Sequence, residues 1–209
     1  MKKKFRYCAF SILAILLPAC LLLGNSLSIA YNPYTYHTLL LNNPSTSLSG
    51  PDKTTVSKAL INGVIHNQSI QTKLENGCLA FSEKEIIHMQ DVASLIRFLT
   101  FLFGVLLIIC AVFAWFMFHQ KNNRNKFLPF VSILFLLLFG FVVLFTFEKS
   151  FTLFHLVSFK NQFWLLDPSK DLLIQLFPES FFYLQFTKVV IMTILELLLL
   201  AFLVRVSKK

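Results

Sequence analysis

Charge is what this chain has least of. Its 209 residues include only 19 Lys and Arg and 10 Asp and Glu, 14% of the sequence, against about a quarter in ordinary soluble domains. With 56% of residues drawn from the AVILMFWYC set and a mean hydropathy of +0.68, that shortage excludes a soluble globule. Glycine is scarce too, at six residues, and no phosphate-cradling loop is formed from them. Of four cysteines, Cys8, Cys20 and Cys110 fall in or beside apolar runs and only Cys78 falls outside, so no intrachain disulfide is expected. The sequence has no GxSxG turn for a serine nucleophile, no HExxH and no His/Cys cluster, so neither a metal nor a cofactor is expected. A net charge of +9 would suggest nucleic acid in a soluble protein, but here the cations gather at the ends of apolar runs, and no nucleic-acid partner is expected.

What is abundant is phenylalanine, 25 residues of it, in stretches long enough to cross a bilayer. A spanning helix needs about 20 mostly apolar residues. Four segments qualify: Phe10–Ile29, Leu95–Phe118, Phe127–Phe147 and Phe181–Val204. They separate short ends at residues 1–9 and 205–209 and a short connection at 119–126 from two long hydrophilic segments, 30–94 and 148–180. The short pieces carry Lys2, Lys3, Lys4, Arg6, Lys121, Arg124, Lys126, Arg205, Lys208 and Lys209 and no acid. The positive-inside rule therefore predicts that both termini are cytoplasmic and that both long segments form an extracytoplasmic cap. Leu17-Pro18-Ala19-Cys20 has the look of a lipid-attachment box, but Leu21-Leu22-Leu23 continue the apolar run past the length of a signal core, which predicts an uncleaved anchor.

The first cap segment opens on turn formers, Asn32, Pro33, Asn42, Asn43, Pro44, Gly50 and Pro51, and then shows helical spacing at Val56, Leu60 and Val64. Asn76-Gly77, between Ser69–Leu74 and Cys78–Phe81, predicts a small β-hairpin. Ser82-Glu83-Lys84-Glu85 is a capping box whose helix should run unbroken into the second span, placing His88 and Asp91 on one face. In the second segment Phe151, Phe154, Phe159, Phe163 and Trp164 alternate with His155, Lys160 and Asn161, a pattern suited to the headgroup layer. Asp167-Pro168 is placed to cap a short helix ending before Pro178. The expected fold class is an all-α integral membrane protein, four transmembrane helices with an extracytoplasmic cap containing a small β-hairpin.

Two of these stretches carry a resemblance. Phe81-Ser82-Glu83-Lys84-Glu85-Ile86-Ile87-His88-Met89-Gln90-Asp91-Val92 resembles a signature of the bacterial lipoprotein intramolecular transacylases. So does the block running from Phe154-His155 through Phe159, Asn161, Trp164-Leu165-Leu166-Asp167-Pro168, Asp171, Ile174 and Phe177-Pro178-Glu179 to Phe181-Phe182. The resemblance implies an enzyme that moves the sn-2 acyl chain of a diacylated lipoprotein to the α-amine of its N-terminal cysteine, giving the lyso form. It implies His88 and His155 as the catalytic pair. Asp91, Asn161, Trp164 and Asp167 match motif positions, and Phe154, Phe159, Phe181 and Phe182 join them as candidate substrate-binding or supporting residues. The expected partners are diacylated lipoproteins and membrane lipid.

The residues themselves are compatible with that chemistry. An α-amine near pKa 8 and an imidazole near 6.5 can exchange a proton close to neutrality, one histidine taking it from the attacking nitrogen while the other polarises the carbonyl or protonates the leaving oxygen. Which histidine does which is left open by sequence. Donor and acceptor belong to one molecule, so no acyl-enzyme is required. His37, His66 and His119 have no motif support. Glu196, inside the fourth span, is expected to bond a neighbouring helix as a structural group. Ser82 is expected to be occupied by its capping box. The rival class is a non-enzymatic membrane subunit whose cap binds a lipid or protein partner; a transporter is disfavoured by the few intramembrane polar residues and the lack of an inverted repeat.

Overall fold

A computed structural model of the chain describes residues 2–41, 48–119 and 127–206. The turn formers Asn42, Asn43 and Pro44, most of the 119–126 connection with its three cations, and Lys208 and Lys209 lie outside the described residues. Among those described, the chain forms eight helices: α1 (Lys2–Ala30), α2 (Pro33–Leu41), α3 (Gly50–His66), α4 (Glu83–His119), α5 (Leu128–Phe145), α6 (Phe147–Ser158), α7 (Leu172–Leu176) and α8 (Glu179–Val206). Helices α1, α4, α5 and α8 are long and apolar enough to cross a membrane.

The chain divides into two units. The first gathers residues 1–26, 99–146 and 185–209. Ala9, Leu13, Ala14, Cys20, Cys110 and Leu128 are buried together in it, while Phe101, Ile108, Val112, Trp115, Phe141 and Phe202 point outward. In water such a surface would drive aggregation. Against lipid tails it costs nothing, and association of the helices then depends on close packing and on polar contacts between them. Both devices occur here. The Phe103 ring lies against Gly24, where a Cβ would sit only 2.9 Å from a ring carbon. Ser132 Oγ donates to the Ala14 carbonyl at 3.0 Å, and Asn25 Nδ2 donates to Thr193 Oγ1 and to Glu196 Oε2, each at 3.0 Å. Asn25 of α1 is thus the neighbouring-helix partner of Glu196.

The second unit gathers residues 27–98 and 147–184. Its core is Tyr36, Leu40, Val56, Leu60, Val64, Ile70, Phe81, Met89, Leu173 and Leu176. The α3 spacing read from sequence is the face that Val56, Leu60 and Val64 bury. Ser49 caps this helix by accepting from the Asp52 amide at 3.2 Å, and Asn67, in the left-handed region at φ 56°, ends it. Gly63 lets α3 meet the returning chain, since an added Cβ would collide with Ile70 Cγ2. Gly63→Ala is therefore expected to destabilise the protein by about 1–3 kcal/mol through forced displacement of Ile70, a loss to be read as a lowered thermal midpoint of the purified protein.

Sequence expectations change in several places. Asn32 and Pro33 start a helix, α2, instead of a turn: Asn32 Oδ1 accepts from the Tyr34 amide at 3.0 Å, with Pro33 at the first helical position where its missing N–H is harmless. The hairpin contracts to one antiparallel bridge, Lys73 with Leu79, and no strand forms among the described residues. The Gly77 amide closes the turn on the Leu74 carbonyl at 2.9 Å, with Gly77 at φ 80° and Asn76 not in the left-handed region, so the two-residue turn that favours a long ladder is absent. Residues 71–79 are largely exposed, and an isolated strand pair gains too little burial to extend. Lastly, Asp167 does not cap α7. It makes a local turn, accepting from the Ser169 amide at 2.9 Å, and the N-cap position falls to Asp171.

Candidate active site

On α4, Glu85, His88 and Asp91 recur every third residue and share a face. The helix begins where the capping box placed it, with Glu85 Oε2 accepting from the Ser82 amide at 2.7 Å and from Ser82 Oγ at 2.8 Å. The serine hydroxyl donates to the carboxylate, so Ser82 is engaged within this contact.

The second histidine comes from a helix that the sequence reading took for an aromatic loop. The α5 helix ends at Phe145, and Thr146 turns the chain as its hydroxyl bonds the Val142 carbonyl at 2.8 Å. The α6 helix then carries Phe151 and His155 one turn apart, with ring centroids 4.3 Å from each other. His155 Nδ1 lies 2.8 Å from the Phe151 carbonyl oxygen. A carbonyl only accepts, so Nδ1 carries the proton and the Nε2 lone pair is free in the neutral ring. Burial pushes the His155 pKa below the ordinary imidazole value, and the bond to the Phe151 carbonyl opposes that shift in part.

His88 and His155 are each only 8% exposed and face one another with ring centroids 6.3 Å apart and planes tilted by 34°. Phe159 packs against both, T-shaped to His88 at 5.1 Å and 5.6 Å from His155. Trp164 packs on His155 at 5.0 Å, and the Phe154 ring stands perpendicular to it at 5.4 Å while remaining half exposed. His88 Nδ1 is buried without a hydrogen-bond partner among the described residues. A buried nitrogen left unpaired in this way is an exception to the usual satisfaction of polar groups. Asp91 Oδ2 accepts from Asn161 Nδ2 at 2.8 Å, tying α4 to the loop after α6.

The motif residues are thus not all brought together. His88, His155, Phe154, Phe159 and Trp164 form one cluster, with Asp91 and Asn161 bonded to each other. Phe182 is one ring removed, meeting Phe151 at 5.3 Å, and Phe181 packs on Phe177 and Phe182 at 5.4 and 5.3 Å. Asp167 reaches neither histidine: its carboxylate serves Ser169 and pairs with Lys170 at 3.7 Å, contacts that lower its pKa. His37 and His66 are exposed elsewhere in the unit. Phe151 was not singled out by its chemistry in the sequence, although its spacing of four from His155 would have revealed it had the segment been read as helix. No group of three or more metal-ligating side chains occurs among the described residues.

Four membrane-crossing helices and a pair of enclosed imidazoles, one with a fixed tautomer, define a multi-pass membrane protein equipped for acid–base chemistry. Comparison with known proteins narrows this. The sequence model of the family described as lipoprotein intramolecular transacylase Lit matches residues 9–182. The chain belongs to that family, and so to a class of acyltransferases. Its fold is similar to the solved structure of the membrane-integral lipoprotein intramolecular transacylase Lit from Bacillus cereus, at a TM-score of 0.72 and 20% identity, covering 97% of this chain and 95% of that one. Structures of that protein with one histidine replaced by arginine or by alanine match at a TM-score of 0.73. An uncharacterized protein of Aquifex aeolicus (strain VF5) is 32% identical over 127 residues, 60% of this chain, and the match spans just over half of that relative's length, 57%.

Proposed function

We propose that this protein moves the sn-2 acyl chain of a diacylglyceryl lipoprotein onto the α-amine of the same molecule's N-terminal cysteine, giving the lyso form. The observation that carries the reading is the pair of facing imidazoles with His155 Nε2 unprotonated. The amine nitrogen attacks the ester carbonyl carbon, the C–N bond forms and the C–O bond to glycerol breaks. His155 takes the proton from the nitrogen through Nε2 and returns it to the departing glycerol oxygen, while a His88 N–H donates to the carbonyl oxygen as negative charge builds there. The proton count closes without metal, nucleotide or covalent enzyme intermediate. Phe154, Phe159 and Trp164 exclude the water that would otherwise hydrolyse the ester.

The lipid substrate calls for a site at the membrane surface. Helix α4, at 37 residues, is about 55 Å long, whereas the hydrocarbon core is about 30 Å thick, and its polar first turns hold His88. With the ten cations at the ends and the short connection inside, the termini are cytoplasmic and the histidines stand at the outer interface.

The test is mass spectrometry of the N-terminal lipopeptide of a diacylated reporter incubated in membranes containing this protein. An isobaric product whose fragments carry an amide-linked acyl chain is expected; an unchanged diacyl pattern from correctly inserted protein would replace this reading with that of a partner-binding subunit. The pH dependence follows from the His155 shift. Because its pKa is lowered, the ring keeps its lone pair as pH falls through the ordinary imidazole range; the acid limb of kcat should therefore follow the amine alone, near pH 8 with unit slope, and steepen only below about pH 6.5. The same sign makes the fold lose stability over that window, since the unfolded imidazole binds its proton first. A limb that already steepens to a slope of two above about pH 6.5 would contradict the assignment of His155 as base.

A further inference from the structure

We propose that Glu85 is a positioning residue that fixes His88 opposite His155, a role that rests on the acyl-transfer reading above. A capping-box glutamate ordinarily serves its own helix and stays in water. Glu85 is only 2% exposed, and its second oxygen, Oε1, leaves α4 altogether to accept from the Leu173 amide at 2.7 Å. Leu173 is in the first turn of α7, whose own N-cap residue, Asp171, makes no capping bond. Asp171, also buried, instead pairs with Lys84 at 2.6 Å. Each segment therefore lends its acid to the other: Glu85 of α4 caps α7, and Asp171 of α7 holds the lysine beside Glu85.

Together with Asp91–Asn161, these bonds tie α4 to the 161–173 segment on both sides of His88, at residues 84–85 and at residue 91. That segment follows directly from His155, whose carbonyl accepts from the Phe159 amide at 2.9 Å, and it carries Trp164 against the His155 ring. His88 makes no hydrogen bond through Nδ1 that would orient its ring, so its place depends on where α4 is held. Glu85, one turn before it on the same face, is the buried group with three donors that does the holding.

The experiment compares wild type with Glu85→Ala, Glu85→Gln and Asp171→Asn by two readouts: kcat and KM on a diacylated lipopeptide, and the rate at which diethyl pyrocarbonate modifies His88 and His155, followed by peptide mass spectrometry. Glu85→Ala should lower kcat by about 100-fold with little change in KM, the cost of a misplacement near 1 Å, and should speed modification of His88. Glu85→Gln should restore most of the rate, because its amide oxygen still accepts from Leu173, and Asp171→Asn should show a smaller loss of the same kind. Wild-type kcat and wild-type histidine reactivity in Glu85→Ala would overturn the proposal. If that variant does not fold, wild-type kcat and wild-type histidine reactivity in Asp171→Asn overturn it. If wild type forms no amide-linked product, the acyl-transfer reading fails, while the reactivity of His88 still decides whether Glu85 positions it.

Discussion

Alanine at His88 or at His155 is expected to lower the rate of amide formation by about 10²–10⁴-fold each, with the protein inserted and folded as before. At about 1.4 kcal/mol per decade that is about 3–5 kcal/mol of transition-state stabilisation for each ring. The two losses differ in kind. His155 has its Nδ1 committed to the Phe151 carbonyl at 2.8 Å, so removing it removes the proton acceptor, and what activity survives should rise with pH as the free amine supplies its own lone pair. His88 is assigned to the carbonyl oxygen, so its loss should depress kcat across the whole pH range without moving the acid limb. Because the rings face each other across 6.3 Å and act on one transition state, the double variant should be scarcely slower than the worse single variant. Additive losses would mean that the rings serve separate steps. Lipopeptide mass spectrometry over time, with fragments assigned to ester- or amide-linked chains, reads all four proteins.

Much of this was legible in the sequence because the signals were local and physical. A bilayer demands runs of about 20 apolar residues, and such runs show in composition alone. The capping box at Ser82–Glu85 announced the start of α4, and periodicity then put His88 and Asp91 on one face. What stayed hidden depended on contacts between distant residues. The α6 helix reads as a loop because Phe154, Leu156 and Val157 are exposed while His155 is buried, the reverse of the burial that marks a helix in water. The Glu85–Leu173 bond joins residues 88 positions apart, and the local capping geometry, although correct, disguised the carboxylate's second use. The hairpin failed in the opposite direction: a strong turn signal at Asn76-Gly77 was real as a turn, but a turn does not supply the burial that a ladder needs.

The same contrast between local signal and distant packing bears on Phe81, which stands just before the capping box and is 2% exposed in the core with Leu60, Ile70, Leu173 and Leu176. Phe81→Ala should destabilise the unit formed by residues 27–98 and 147–184 by about 3–5 kcal/mol, the cost of an emptied aromatic site that helices cannot close over. Against total stabilities of about 5–15 kcal/mol this is a large fraction. The polar contacts of the other unit, Ser132 to the Ala14 carbonyl and Asn25 to Thr193 and Glu196, do not involve Phe81. Amide hydrogen exchange followed by mass spectrometry should therefore accelerate by about 10²–10³-fold in peptides from α3, α7 and the first turns of α4, while α5 exchanges as in wild type. Uniform acceleration in both units would show that they open as one, and unchanged exchange in α3 and α7 would show that Phe81 does not hold their core. Amide formation should fall along with protection, because the core that seats Phe81 also seats Met89, the residue next to His88, and Leu173, whose amide Glu85 holds.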